Sequence, residues 1–292
     1  MEDQAEKLRR KVLTLNSKDR ARLIAVTSGK GGVGKSNFAL NFALSLIEQG
    51  KRTLLLDLDL GFANIDVLLG FSPRYTILDM LNENLSLTQI VEEGPYGLLL
   101  ISGASDLDQL IHLPEERLKR MLADLETLDQ NVDFIILDTG AGLLADTLPL
   151  ILSCDEIFLV TTPEPTSIAD AYAVLKMLSR HRSDLAVKLV VNRCSYALEG
   201  LTTAQRIQTA ASQFLDQNIH YLGYLWLDQA VQKAVIRQEP FIHSYPNSKV
   251  SQAMRLITAH YLNRPSAEQK GDAGGLSNLF KRLLTSWKRN IG

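Results

Sequence analysis

The residues with the clearest capacity for chemistry form a glycine-rich segment near the start of the chain: Gly29, Lys30, Gly31, Gly32, Val33, Gly34, Lys35 and Ser36. Their types and spacing fit the phosphate-binding pattern G-x-x-x-x-G-K-[ST]. Glycines allow backbone N–H groups to turn toward phosphate oxygens, and the N-terminus of a following helix attracts anions. We therefore expect this loop to bind a nucleotide, with Lys35 on the β- and γ-phosphates and Ser36 on Mg²⁺. A glycine-rich turn without a ligand is the alternative.

Aspartates stand at the ends of two apolar, β-rich runs further along the chain. Asp57 and Asp59 close the run that begins at residue 52, and Asp138 closes the run 133–138. A carboxylate at the end of a buried strand can hold Mg²⁺ directly or through water. The alternative is that these aspartates only terminate strands at turns. The phosphate-loop pattern upstream favours the magnesium interpretation.

Another polar pair, Asn192 and Arg193, closes a third apolar run. The Asn192 side chain offers both a hydrogen-bond donor and an acceptor, which matches the edge of an adenine base. The sequence therefore predicts that this pair belongs to the nucleotide site, and the alternative is an asparagine in an ordinary turn.

The elements that must position these residues alternate along the chain. Candidate strands are 22–27, 52–57, 97–102, 133–138, 156–161, 186–191 and 219–225. Helical patterns fall between them, at 35–49, 115–129, 166–182, 202–217, 228–237 and 249–262. Near-continuous apolar strands interleaved with helices indicate an α/β fold with a doubly wound, mostly parallel sheet. Ligands of such sheets bind at the carboxyl ends of the strands.

A second lysine inside the loop, Lys30, connects the chain to a known family. The string KGGVGKS resembles the deviant phosphate loop of the MinD/ParA ATPases, and the resemblance extends over residues 22–262 through LDLDLGFANIDVLLG and TTPEPTSIADAY. It implies a homodimer formed with ATP, in which Lys30 reaches the phosphates of the other subunit. It further implies that Asp59 orients or activates the attacking water and that Asp57 supports the magnesium shell.

Two further motifs are similar to the flagellar-number regulators of that family, the FlhG/FleN type. One is DTGAG at 138–142; the other lies at the N-terminus and consists of Asp3, Gln4, Ala5, Leu8 and Arg9. The resemblance implies that the N-terminal helix docks on a signal-recognition-type flagellar GTPase and stimulates its hydrolysis, with flagellar switch or C-ring proteins as further partners. The helix could instead pack on its own domain. The alternative function is a MinD/ParA ATPase that positions the cell-division site, chromosomes or plasmids.

Composition divides the chain into four parts. Residues 1–21 form the N-terminal helix and its connector, 22–262 the ATPase domain, 263–275 a flexible linker rich in Pro, Gly and Ser, and 276–292 an amphipathic helix. The last part carries apolar residues on one helical face, with basic residues beside it. This pattern is typical of a helix at an anionic membrane surface, and the alternative is a helix folded on the body. Predicted membrane contacts are Leu279, Phe280, Lys281, Arg282, Leu283, Leu284, Trp287 and Lys288.

The net charge of −2 is unevenly distributed, with +3 in residues 1–22, +4 in 276–292 and −9 between them. An acidic body disfavours a broad DNA-binding surface, so DNA is not an expected partner. Cys154 and Cys194 form no CxxC motif, which disfavours a metal-cluster carrier. No signal peptide or membrane-spanning run is recognisable. The expected location is the cytoplasm, with reversible association with the inner face of the cell membrane.

Overall fold

The computed structural model describes residues 21–58, 65–83, 85–102, 124, 128, 130–140 and 148–263. Several predictions fall outside these residues: Asp59, the partner residues Asp3, Gln4, Ala5, Leu8 and Arg9, the linker, and the predicted membrane helix 276–292. Most of the predicted helix 115–129 also lies outside, although Asp124 and Leu128 within it are helical.

In the described residues, eight strands form one sheet, in the order β3-β4-β2-β5-β1-β6-β7-β8. Their bounds are β1 (Arg22–Thr27), β2 (Thr53–Leu58), β3 (Glu92–Glu93), β4 (Leu99–Ile101), β5 (Phe134–Thr139), β6 (Glu156–Thr161), β7 (Ala186–Cys194) and β8 (His220–Trp226). All neighbouring strands pair in parallel except β3, which runs antiparallel to β4 at the edge. The predicted doubly wound, mostly parallel α/β sheet is confirmed.

Helices cover both faces of the sheet. In the described residues they are α1 (Lys35–Glu48), α2 (Ile65–Leu69), α3 (Ile77–Glu83), α4 (Leu87–Ile90), α5 (Leu148–Leu152), α6 (Pro165–His181), α7 (Ala197–Leu215), α8 (Gln229–Arg237), α9 (Phe241–Ser244) and α10 (Lys249–Leu262). Phe42 of α1 packs its ring on Phe158 of β6 and on Tyr261 of α10, at centroid distances of 5.2 and 5.6 Å. Within the described residues, no helix combines the length and the apolar character that crossing a bilayer requires.

Two differences from the sequence prediction have physical causes. Strand β3 was missed because its two residues, Glu92 and Glu93, are charged, as is common on an exposed sheet edge. Helix α7 begins at Ala197 rather than at residue 202, although Gly200 lowers the helical propensity of this turn. A Cβ at Gly200 would lie 2.7 Å from the Cβ of Tyr224, so the glycine permits close packing of α7 on β8.

Strand register determines where the site lies. The pairing of β2 with β5 places Asp57 directly opposite Asp138, and β1 pairs with β5 so that Val26 lies beside Asp138. The loop that follows β1 therefore starts next to both carboxylates. Parallel pairing thus brings the predicted phosphate and magnesium residues to the side of the sheet where the strands end, which we call the carboxyl edge. The opposite side, where the strands begin, is the amino edge.

Candidate active site

The phosphate loop leaves the N-terminus of α1 open to an anion. Gly34 precedes the helix with a φ of +95°, and Gly32 has a φ of +77°, conformations that favour glycine. No side chain of the described residues caps this end of α1, and its first turn contains no acidic residue. The first backbone N–H groups and the positive end of the helix dipole are thus suited to phosphate oxygens.

Close packing fixes the shape of this loop. A Cβ on Gly29 would lie 2.3 Å from the carbonyl carbon of Asp170 in α6. A Cβ on Gly34 would lie 2.4 Å from the side-chain nitrogen of Asn192, and that nitrogen donates to the carbonyl oxygen of Val33 at 2.7 Å. A larger residue at Gly29 would force the loop and the backbone of α6 apart, whereas one at Gly34 would force the Asn192 side chain away from Val33 and strain the backbone at positive φ.

Asn192 therefore lies beside the phosphate loop, at the end of β7. Its side-chain oxygen accepts from the backbone N–H of Arg193 at 2.8 Å, and Arg193 itself is exposed with a φ of +61°. The sequence alone does not predict the hydrogen bond from Asn192 to the phosphate loop. Contact of this pair with an adenine base stays a prediction.

A buried ion pair occupies the centre of the site. Lys35 Nζ lies 2.6 Å from Asp138 Oδ1, and the two side chains are 6% and 0% exposed. Ser36 Oγ lies 3.3 Å from the same Nζ. Asp57 is also buried, and its Oδ2 accepts from the backbone N–H of Ile65 at 3.2 Å.

These residues fit a magnesium nucleotide. The Ser36 hydroxyl and the carboxylates of Asp57 and Asp138 are oxygen donors of the kind that Mg²⁺ prefers. Lys35 supplies a positive charge beside the open helix N-terminus, where phosphate oxygens are expected. The structure thus brings together the predicted phosphate and magnesium residues that it describes, while Asp59 lies outside the described part.

Lys30 contacts the start of α6. Its Nζ lies 3.2 Å from Glu164 Oε2 and 3.2 Å from the hydroxyl of Thr166, and its side chain is 42% exposed. Both partners stand at the start of α6. Both lie in the segment TTPEPTSIADAY, whose sequence alone does not predict a contact with Lys30.

Trp226 stands at the end of β8, opposite Cys194 at the end of β7. Its ring meets the Tyr224 ring edge to face at 5.1 Å, and Lys249 Nζ lies 5.3 Å from its centre. Trp226 thus lies on β8, the strand next to the one that carries Asn192, and its ring has one aromatic and one cationic neighbour.

The two cysteines do not form a cluster site. Cys154 precedes β6 at the amino edge of the sheet, whereas Cys194 ends β7 at the carboxyl edge. Both are buried, and burial raises the pKa of Cys194 to about 12 and that of Cys154 well above its usual range. Buried protonated thiols at opposite edges cannot jointly ligate a cluster within one chain. The described residues also contain no group of three or more His, Cys, Asp or Glu suited to a metal ion.

Comparison with known proteins decides the family. A family model described as "ParA: NUBPL iron-transfer P-loop NTPase" matches residues 19–262. The chain belongs to the ParA family of P-loop NTPases. Antiactivator FleN of Pseudomonas aeruginosa is 35% identical over 81% of this chain and 84% of its own length. Flagellum site-determining protein YlxH of Helicobacter pylori is 33% identical over 92% of each chain.

Solved structures agree with this family. The septum site-determining protein MinD of Pyrococcus horikoshii, complexed with Mg-ADP, is 26% identical, covers 82% of this chain and 96% of its own, and superposes with a TM-score of 0.67. The resemblance to MinD/ParA ATPases and to the flagellar subgroup is confirmed, and the chain is a P-loop ATPase. The term "iron-transfer" describes the family model, and the cysteine positions above do not extend it to this chain.

The buried pair yields the first testable prediction. Changing Asp138→Asn in the nucleotide-free protein should lower the free energy of unfolding by about 3 kcal/mol, because it removes the carboxylate from a buried ammonium group. Adding Lys35→Met should recover part of that loss, since both charges are then gone. Urea unfolding of the two single variants and the double variant measures the coupling.

The exposed pair is the control. Lys30→Met, which breaks the contact with Glu164, should cost less than about 1 kcal/mol. Strictly additive losses for Asp138→Asn and Lys35→Met would contradict the pairing of these two charges.

Proposed function

We propose that this chain is an ATP-driven, dimerising switch that regulates the number or placement of flagella. The observation that carries this proposal is the extent of its likeness to FleN and YlxH, which covers 81% and 92% of the chain. One relative is named an antiactivator and the other a flagellum site-determining protein. Both names describe regulators of other proteins or structures. A regulatory role agrees with an ATPase site and with the partner-binding segments that the sequence predicts outside it.

The site suggests how the chain's residues divide the work. The backbone of the phosphate loop and Lys35 bind the phosphates of ATP, and Ser36, Asp57 and Asp138 hold Mg²⁺. The ion, when bound, neutralises negative charge on the phosphates. Asp59 orients the attacking water. Lys30 supplies a further positive charge to the site of the second subunit, in the manner of an arginine finger.

The contact of Lys30 with Glu164 supports this dimer-dependent role. Because the pair is exposed, it stabilises the monomer by no more than about 1 kcal/mol. Lys30 can therefore exchange Glu164 for the phosphates of a second subunit at little cost. Lys30 can make this new contact only when the second subunit holds a nucleotide, so dimerisation depends on ATP.

The terminal segments bind the partners on which the switch acts. Residues 1–16 act on a signal-recognition-type flagellar GTPase, and residues 276–292 bind the anionic inner face of the cell membrane. One such tail carries four basic residues, each worth about 1 kcal/mol near anionic lipid. Two tails on one dimer bind far more tightly than one, because the second attachment is intramolecular. ATP thereby moves the protein between cytoplasm and membrane.

The flagellar role is tested by counting flagella. In a strain that lacks the gene, electron microscopy should show an altered number or placement of flagella, and the wild-type gene should restore both. A Lys35→Ala gene should fail, since the variant loses the phosphate contact of Lys35. Normal flagella combined with misplaced division septa would instead support a role in cell division.

Dimerisation is tested by Asp59→Ala. This variant should bind ATP, hydrolyse none and accumulate as a dimer, because the step that ends the ATP state is blocked. Sedimentation with and without ATP measures the mass. Lys30→Met should bind ATP but stay monomeric, since both trans contacts are lost. An Asp59→Ala protein that remains a monomer with ATP would contradict the model.

The partner helix is tested as a peptide. Residues 1–16 alone should accelerate GTP hydrolysis by the flagellar GTPase, and Gln4→Ala should weaken the effect, because an amide side chain can position the hydrolytic water. Phosphate release is the measurement. A peptide that has no effect at saturating concentration would reject this part of the proposal.

Membrane binding is tested with vesicles. Co-sedimentation should require anionic lipid, ATP and residues 276–292, and Phe280→Glu should abolish it by placing a charge in the apolar face. Salt should weaken binding without eliminating it, because only the charged part is screened. Equal binding by a chain that ends at Asn263 would exclude the tail as the anchor.

A further inference from the structure

A surface cavity of about 580 Å³ lies between the C-terminal ends of α6 and α7, and we call it the α6–α7 groove. Both helices return from the carboxyl edge to the start of the next strand, so the groove lies near the amino edge, away from the nucleotide site. Its walls include two side chains of α6 and four residues at the end of α7: Lys176, Arg180, Gln213, Phe214, Leu215 and Asp216.

The charges of the α6–α7 groove are separated by an exposed aromatic ring. Lys176 and Arg180 are four residues apart on α6, share a helix face and are exposed. Across the groove, the Phe214 side chain is 72% exposed, and Asp216 is exposed beside it. None of the ion pairs in the described part of the chain includes Lys176 or Arg180. Two unpaired cations next to an apolar ring suit an amphipathic segment that carries acidic residues.

The start of β1 lies beside the end of α6. Arg182, directly after α6, donates to the carbonyl oxygen of Cys154 at 3.3 Å. The next residue, Asp155, accepts from the backbone N–H of Leu23 at 2.8 Å. One short turn therefore holds both the end of α6 and the beginning of β1. Residues 1–20 consequently join the described domain close to the α6–α7 groove.

The sequence of that N-terminal segment complements the groove. It begins with three acidic residues, Glu2, Asp3 and Glu6. Leu8 follows, and then the basic pair Arg9 and Arg10. The order of acids, apolar residue and bases matches the cations, ring and carboxylate across the groove.

The segment is also long enough to reach both walls. As the predicted helix, residues 1–16 span about 24 Å, and the connector 17–20 adds up to about 13 Å when extended. Packed helices such as α6 and α7 lie only about 10 Å apart.

We propose that the α6–α7 groove binds residues 1–16 of the same chain. The three acids pair with Lys176 and Arg180, and Leu8 covers Phe214. Because the segment is tethered beside the groove, its effective concentration is high, and an acidic segment of another protein must compete with it. Docking withholds the N-terminal helix from its partner, a consequence that rests on the proposed action on a flagellar GTPase.

Cross-linking in the full chain tests the docking itself. Leu8→Cys with Gln213→Cys should form an intrachain disulfide on mild oxidation with copper–phenanthroline, seen as a faster band on a non-reducing gel. The native Cys154 and Cys194 are buried and do not compete. Leu8→Cys with Ala197→Cys is the matched control, since Ala197 is exposed on the same helix about 24 Å from Gln213. The control pair should give at least about fivefold less product.

A charge swap tests the mode of binding. In the cross-linking chain, Lys176→Glu with Arg180→Glu should lower the intrachain yield at least about fivefold, because acids would face acids. Adding Glu2→Lys, Asp3→Lys and Glu6→Lys should restore the yield, and circular dichroism checks folding. A yield that equals the control pair, or that does not respond to charge reversal, overturns the proposal. A product of doubled mass in place of the intrachain one also overturns it.

The GTPase measures the consequence separately. Without the added cysteines, Lys176→Glu with Arg180→Glu should stimulate GTP hydrolysis at least about threefold more than the wild-type chain, because the helix is released. Unchanged stimulation despite a specific cross-link overturns the withholding of the helix. A specific cross-link in a chain whose variants never stimulate the GTPase supports the docking and contradicts the proposed function. Absent cross-linking, with weaker GTPase binding by the reversed variant, assigns the groove to the GTPase and overturns the proposal.

Discussion

A buried lysine and a buried aspartate, 2.6 Å apart, are the contact around which this molecule is arranged. The Lys35 and Asp138 side chains are only 6% and 0% exposed, so each charge is stabilised mainly by groups within the protein. A phosphate that enters the loop competes with Asp138 for the ammonium group of Lys35. Binding of a nucleotide thus alters the electrostatics of both the phosphate loop and the end of β5, the strand that leads toward the DTGAG segment.

The sheet brings Lys35 and Asp138 together and places further charged side chains at its opposite edge. Parallel register places the ends of β1, β2 and β5 side by side, which brings Lys35, Asp57 and Asp138 together. At the opposite edge, Glu156 bonds Lys188 at 3.1 Å, and Arg22 donates to the Tyr261 hydroxyl at 3.4 Å. The chain therefore enters and leaves the described domain near one point, on the edge away from the nucleotide site.

Local sequence signals identified most of this arrangement. The phosphate loop, Asp57 and Asp138 could be predicted because a fixed motif and apolar strands with terminal carboxylates are local patterns. Contacts between distant segments could not be predicted in this way. The bond of Lys30 with Glu164, the bond of Asn192 with Val33 and the close packing of Gly200 on Tyr224 all require the folded chain.

We propose that Lys30 completes the active site of the other subunit, and mixed dimers test this proposal most directly. Lys30→Met lacks the trans lysine but retains Asp59, whereas Asp59→Ala retains the lysine but lacks the residue that orients water. Each variant alone should hydrolyse almost no ATP. An equal mixture that is combined before ATP is added should hydrolyse ATP several-fold faster than either variant alone, because a mixed dimer holds one complete site, in the subunit that retains Asp59 and receives Lys30 from the other. A mixture as inactive as its components would contradict action in trans and would indicate that Lys30 acts within its own subunit.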